Sequence, residues 1–295
     1  MSGFLDDMAS RSAERVAEAM RHESASALER RARRAAQSAP LRLSGSGFDV
    51  IAELKLRSPA AGRLSDEGDD WLGRVAAYAR GGAAAVSVLT EPSRFDGSLE
   101  HLRQAAAALA PLGVPAMRKD FLVDPYQVLE ARAAGAGGVL VILRMLTRPR
   151  IEELLDVAAE HGMFVLLEAF DEDDLAMAHD IEAARAEQRA RHPAGREVGR
   201  EDPGRPEAHQ PILIGVNCRD LQTLKIVQER FAALAPLLPG GWPAVAESGI
   251  ASAADARRMQ QLGYRLALIG TALMASGDPS LCLRQIFDAT RTVQS

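Results

Sequence analysis

Two stretches near the C-terminus share one build: Ala244-Val-Ala-Glu-Ser-Gly-Ile250 and Leu266-Ala-Leu-Ile-Gly-Thr-Ala272. In each, a short apolar run ends in a glycine with a hydroxyl beside it. The first also carries an acid, Glu247, and a helical pattern follows from Ala251. The end of such a strand, in a parallel β/α protein, is where backbone N–H groups can hold a phosphate.

Upstream the same alternation repeats. Residues 50–56 read as a strand and 71–80 as a helix closed by Gly81-Gly82. The next strands are 84–89, 115–119, 138–143 and 164–168; the helices between and after them are 98–109, 125–134, 148–161 and a run from about 171. Strand 212–217 precedes helix 224–238. Strand 244–247 precedes helix 251–262, and strand 266–269 precedes helix 279–290. The strands are short and apolar throughout, the pattern of strands buried on both faces. Eight βα units predict an α/β protein of the (β/α)₈ TIM-barrel class spanning residues 48–295. A doubly wound sheet is the competing reading, but the first strand ends in Glu53-Leu-Lys55 and not in a G-x-G-x-x-G loop.

Residues 4–37 read as one helix, within an N-terminal helical extension (1–47) that packs on the barrel as a solvated arm or as a cap over one end. Residues at about 180–211 are charged, carry Pro and Gly, and break the rhythm between a helix and a strand. They read as a surface insertion on the face away from the active end.

Composition narrows the function classes. The 295 residues are 47% apolar but only 4% aromatic, so the core is aliphatic. A net charge of -5 gives no basic field for nucleic acid. No apolar run is long enough for a membrane span, no signal peptide is visible, and Cys218 and Cys282 show no metal spacing, so a reduced, cytoplasmic setting without a metal is expected.

Function in such a barrel sits at the C-terminal ends of the strands. Those ends supply Glu53 and Lys55, with Ser58 just beyond; then Phe95; Lys119 and Phe121; Glu168; Asn217 and Arg219; Glu247, Ser248 and Gly249; and Gly270 and Thr271. Charges are costly to bury unless paired, so one reading is a structural ion-pair network. Their convergence on one mouth favours acid–base chemistry instead, with a lysine of lowered pKa as acid and a carboxylate as base. Asn217 and Arg219 suit hydroxyls and a carboxylate, while Ser58, Gly249, Gly270 and Thr271 suit a phosphate. Phe95 and Phe121 are placed to wall an aromatic ring.

Several motifs together resemble the indole-3-glycerol phosphate synthase family: Ile51-Ala-Glu-Leu-Lys-Leu-Arg-Ser-Pro59, Arg118-Lys-Asp-Phe121, Gly215-Val-Asn-Cys-Arg-Asp-Leu221, Glu247-Ser-Gly-Ile250 and Ile269-Gly-Thr-Ala-Leu-Met274. The resemblance implies decarboxylating ring closure and dehydration of 1-(2-carboxyphenylamino)-1-deoxyribulose 5-phosphate in tryptophan biosynthesis. It implies Lys119, Lys55, Glu168, Glu53 and Asn217 as the catalytic set. Arg219, Glu247, Ser248, Phe95 and Phe121 would bind substrate. It also implies no cofactor, and a monomer or weak homo-oligomer open to association with other enzymes of that pathway. Three positions depart from the family's usual pattern: Cys218 stands for an asparagine, Ala60 for a serine, and Phe170 for a histidine. A paralogue of specialised metabolism acting on a substituted anthranilate analogue, a sugar-phosphate isomerase and a non-catalytic phosphate-binding barrel are the alternatives.

Overall fold

The computed structural model describes residues 3–45, 47–58, 62–64, 70–191, 211–221 and 223–291. Eight parallel strands close into a barrel: β1 (Asp49–Leu54), β2 (Ala85–Leu89), β3 (Ala116–Lys119), β4 (Gly138–Ile142), β5 (Phe164–Ala169), β6 (Ile212–Asn217), β7 (Ala244–Glu247) and β8 (Leu266–Ile269). The ring closes where β8 pairs with β1, from Asp49↔Leu266 to Ala52↔Ile269. All but the last residue of β3 are buried, which is why these strands show no polar alternation.

Alternate residues face opposite ways. Ile51, Met117, Leu140, Leu166, Leu213 and Val245 fill the barrel interior. Val50, Val86, Val139, Leu167, Ile214 and Ala246 face the helices. The inward side chains at the C-terminal ends are Glu53, Lys119, Glu168 and Glu247, so the packed floor carries a charged mouth.

The longer helices are α1 (Phe4–His22), α2 (Ala25–Arg34), α3 (Trp71–Arg80), α4 (Leu99–Leu109), α5 (Pro125–Ala133), α6 (Arg148–Glu160), α7 (Glu172–Arg191), α8 (Glu229–Leu234), α9 (Ala253–Gln261) and α10 (Pro279–Thr290), with single helical turns at Pro92–Phe95 and Thr271–Ala275. Their starts follow local signals. Asp124 and Ser252 close capping boxes, and Asp278 caps α10 ahead of Pro279.

Two local expectations need correction. The single helix expected over 4–37 is two: Glu23 is extended, and the Ser24 hydroxyl accepts from Ala27 N to start α2. The helix expected over 224–238 starts only at Glu229: residues 224–228 are loop, α8 covers 229–234 and a 3-10 turn follows over Ala235–Leu237. Asp220 Oδ1 accepts from the backbone and hydroxyl of Thr223, Leu224 is left-handed at φ 60°, and Ile226 bridges back to Arg219. An aspartate that captures nearby backbone N–H groups competes with the helix ladder. After β1 the chain makes a small antiparallel pair, Arg57–Ser58 with Gly62–Arg63. Of the segment expected as an insertion, residues 180–191 belong to α7, and 192–210 lie outside the described residues.

The two N-terminal helices dock on the barrel along an apolar seam. Met8 enters the interior cluster, while Val16, Leu28 and Ala32 pack on Tyr126 and Leu129 of α5. Polar ties fix the register: Tyr126 Oη donates to Glu23 O at 3.0 Å, and Arg132 donates to the carbonyls of Ala35 and Ala36, each at 2.9 Å. Leu28→Ala should therefore cost about 2–5 kcal/mol in urea unfolding, whereas Met20→Ala, at an exposed position, should stay within about 0.5 kcal/mol. Equal effects would mean that the seam contributes no packing energy.

Candidate active site

A cavity of about 800 Å³ opens at the C-terminal end of the strands. Its floor is charged. Lys119 Nζ donates to Glu168 Oε2 at 3.2 Å and to Glu247 Oε2 at 3.3 Å. Lys55 Nζ donates to Glu53 Oε1 at 2.7 Å. All three glutamates are buried, and Lys119 is nearly so. Two ammonium groups and three carboxyl groups thus share one desolvated space, where paired charge is the only tolerable kind.

Burial lowers the proton affinity of Lys119, but Glu168, Glu247 and Glu53 outweigh it and hold the ammonium well above the ordinary lysine value. This corrects the expectation of a lysine made acidic by its surroundings: the neighbours within reach are anions. Burial raises the Glu53 carboxyl, yet Lys55 and Lys119 prevail and keep it below the usual range. Glu247 goes the other way. Burial first, then the charge of Glu168, push it up to about 8 against the pull of Lys119. Near neutrality Glu247 therefore holds its proton.

Asn217 organises one side of the floor. Its Nδ2 donates to Glu168 Oε1 at 2.7 Å, while its Oδ1 accepts from Ser248 Oγ at 3.0 Å and from Arg219 N at 2.9 Å. With a carboxylate on one end and two donors on the other, only one orientation of the amide satisfies every partner. Arg230 donates to Asn217 O at 2.8 Å and steadies the strand end. The Arg219 side chain donates to Leu224 O at 2.8 Å, so it braces the loop that follows β6 as well as lining the cavity.

The residue after Lys119 is tied down equally firmly. Asp120 accepts from Arg15 Nη2 and Thr90 Oγ1, each at 2.7 Å, and from Arg118 Nη2 at 3.1 Å. Arg118 also donates to Gln127 O at 2.8 Å and to Glu130 at 3.0 Å. Ser12 of α1 donates to Phe121 O and accepts from Gln127. The N-terminal extension is thereby bonded to both residues that follow Lys119.

The walls are apolar. Phe121 meets Phe95 at 6.3 Å and Phe4 of α1 at 5.8 Å between ring centroids. Leu140, Ile142, Leu221, Ile226 and Leu268 also line the cavity. So do Ser248, Gly249, Ala251, Gly270, Thr271 and Ala272. Ser248 and Gly249 are consecutive left-handed residues, at φ 67° and 72°. Both residues line the cavity at a turn, where backbone N–H groups can meet an anion.

Of the residues singled out from sequence, all but Ser58 line this cavity. Ser58 is buried on the short pair that follows β1 and is not among the lining residues. Phe4, Leu221 and Gln228 line the cavity without having been singled out. An aromatic residue at the start of an amphipathic N-terminal helix was the available signal for Phe4. The departures at 170 and 218 do not reach the lining. Phe170 is buried under the Arg144 guanidinium, 4.8 Å from the ring centroid, and Cys218 Sγ donates to Ser248 O at 3.3 Å.

A family model described as indole-3-glycerol phosphate synthase matches residues 5–185 and 207–286. The chain belongs to the indole-3-glycerol phosphate synthase family. Relatives bearing the family's name include one from Nocardioides sp., 41% identical over 242 residues, with 82% of this chain and 80% of that one covered. A relative from Leifsonia xyli subsp. xyli is 37% identical over 290 residues, covering 96% and 95%. One from Methanopyrus kandleri is 37% identical over 255 residues, covering 85% and 87%. Among solved structures, orotidine 5'-phosphate decarboxylase from Pyrococcus horikoshii OT3 aligns with a TM-score of 0.56 at 13% identity, covering 83% of this chain and 100% of that one. That likeness concerns the barrel alone. The family model includes the N-terminal helices and leaves residues 186–206 unmatched.

The Asn217 bridge makes a testable demand on this indole-3-glycerol phosphate synthase family site. Asn217→Asp keeps the shape but sets a second carboxylate against Glu168. Like charges raise the proton affinity of the pair, so the penalty is absent below the ordinary carboxylate range, near pH 4, and grows as pH rises. Urea unfolding should show a loss of about 1–3 kcal/mol at pH 8 that shrinks toward pH 5. A loss independent of pH would contradict the bridge.

Proposed function

We propose that this chain closes the indole ring of 1-(2-carboxyphenylamino)-1-deoxyribulose 5-phosphate, releasing CO₂ and water and leaving indole-3-glycerol phosphate. The observation that carries this reading is the Lys119 ammonium, held by Glu168 and Glu247 on the cavity floor beneath an aromatic wall. Membership of the family supports the same chemistry.

The reaction asks for four things. The substrate ketone must be made electrophilic, and Lys119 donates to its oxygen. The ring carbon bearing the carboxylate then attacks the ketone carbon, and the oxygen takes a proton as the new bond forms. A lysine so strongly paired is a weak acid at rest, so its proton moves only as the oxygen gains alkoxide character. Loss of CO₂ returns the bonding pair to the ring and restores aromaticity. Finally hydroxide leaves, assisted by a proton from Lys55, and Glu168 removes the proton from the adjacent ring carbon. Glu53 orients Lys55 through their hydrogen bond, and Asn217 orients Glu168.

The ends of the substrate fit the cavity lining. Phe4, Phe95 and Phe121 enclose the aromatic ring; Arg219 pairs with its carboxylate. Glu247 and Ser248 take hydroxyls, while Gly249, Gly270 and Thr271 hold the phosphate through backbone N–H groups. Two unpaired thiols, one buried, support a reduced cytoplasmic setting. Among the described residues no helix is long and apolar enough to cross a membrane.

Adding the substrate should produce indole fluorescence, and Lys119→Met should lower kcat by about 10²–10⁴-fold while leaving the fold intact. Near-normal turnover in that variant would refute the assignment. pH supplies a second test. As pH rises through about 8, Glu247 ionises and adds a negative charge beside an anionic substrate, so kcat/KM should fall. Glu247→Gln should lack that alkaline limb; a limb unchanged in the variant would place its origin elsewhere.

A further inference from the structure

Two of the three buried glutamates on the floor share an unexplained feature: each leans over a glycine on the preceding strand of the ring. Glu247 on β7 lies over Gly215 of β6. A Cβ added at Gly215 would overlap Glu247 Oε1 and stand 3.1 Å from its Cδ. Glu53 on β1 lies over Gly270, at the end of β8. A Cβ there would overlap Glu53 Oε1 and stand 3.2 Å from its Cδ.

Neither glycine is required by its backbone. Gly270 sits at φ -115°, and Gly215 is not among the residues with positive φ. Both positions are open to any L-residue on conformational grounds, so what the glycines supply is room. Gly215 is also not needed for sheet pairing, because its partners across the two ladders, Glu168 and Val245, keep ordinary side chains.

The notch at Gly215 has a chemical consequence. Glu247 Oε2 meets Lys119, but Oε1, tipped into the notch, is buried with no hydrogen-bond partner among the described residues. A carboxyl half-satisfied in this way costs free energy that an ordinary strand position would not tolerate, and such costs persist where function requires them.

We propose that Gly215 is a positioning residue for the reaction: its missing side chain lets the Glu247 carboxyl sink into the barrel floor, so that one oxygen faces Lys119 and the other stays without a partner. Gly270 likewise leaves room for the Glu53 carboxyl, whose Oε1 accepts there from Lys55 at 2.7 Å, a structural duty besides the phosphate contact expected from its sequence motif. The inference rests on the reading of the reaction given above. Glu247 Oε1 is the far end of a flexible side chain, so an added methyl displaces the carboxyl before it displaces the strand. Leu166 Cδ1, 3.1 Å from the added atom, needs to give only slightly.

The test is a cycle of Gly215→Ala, Glu247→Asp and the double variant. Asp is one methylene shorter, which withdraws the carboxyl from the space the new methyl takes. Gly215→Ala should fold with a near-normal unfolding midpoint and lose about 10²-fold in kcat/KM, the penalty expected of a group misplaced by about 1 Å. Its alkaline limb should move from about pH 8. The double variant should be at least about tenfold more active than multiplying the two single losses allows, since contacting residues are coupled. Additive losses, or a Gly215→Ala enzyme with wild-type turnover and an unmoved limb, would overturn the proposal. A crystal structure of Gly215→Ala separates this idea from the reading of the reaction. A displaced Glu247 carboxyl supports the notch whatever the substrate proves to be, and an undisplaced one sinks it even in an active enzyme.

Discussion

One buried ammonium, Lys119, lies between two carboxyl groups and within the field of a third. An ion in that position is costly unless it is paired, and its partners would be equally costly without it. The remaining charges follow from this arrangement. Glu53 is satisfied by its own lysine, Lys55, and ionises readily. Glu168 shares Lys119 with Glu247 and takes a second donor from Asn217. Glu247, left with half a partner, keeps its proton to about pH 8. The lysines and glutamates are paired on the floor before substrate arrives, and Arg219 lines the same cavity.

The scaffold around Lys119 serves the same end. A charge-balanced group is useful only if it cannot wander, and its chain neighbours are clamped from two directions. Asp120 draws Arg118, Thr90 and Arg15 together, so that a residue from α1 reaches the strand carrying the lysine. Ser12 adds a bond to the carbonyl of Phe121, whose ring is packed by Phe4 from the same helix. The N-terminal helices are thus part of the wall and part of the clamp, and the apolar seam on α5 holds them there.

Much of this architecture is legible in the chain. The eight strands are runs of aliphatic residues bounded by glycine and proline, and buried parallel strands leave that imprint. The charged residues at their ends converge because every parallel strand ends on one face. What escaped the sequence depends on distances between elements. The state of Lys119 turns on how many carboxyl groups reach it, and no spacing along the chain counts them. Leu224 reads as helical by composition, but Asp220 and Thr223 capture the local N–H groups and turn the chain into a hairpin-like loop. Gly270 reads as a phosphate-loop glycine, and the space its missing Cβ leaves is also taken by the Glu53 carboxyl from across the closing seam of the barrel. Phe4 lies far along the chain from Phe121, and only docking of α1 brings the rings together.

The protonation of Lys119 decides how the floor works, and NMR of a protein labelled with ¹⁵N at lysine side chains reports it directly. With the resonance assigned by the loss of signal in Lys119→Met, the expected result is an ammonium shift that does not titrate below pH 10.5, the ordinary lysine value. A midpoint below about 9, well under that of an unperturbed lysine, would show that the surrounding carboxyl groups do not hold the charge, and the acid would have to be sought elsewhere on the floor.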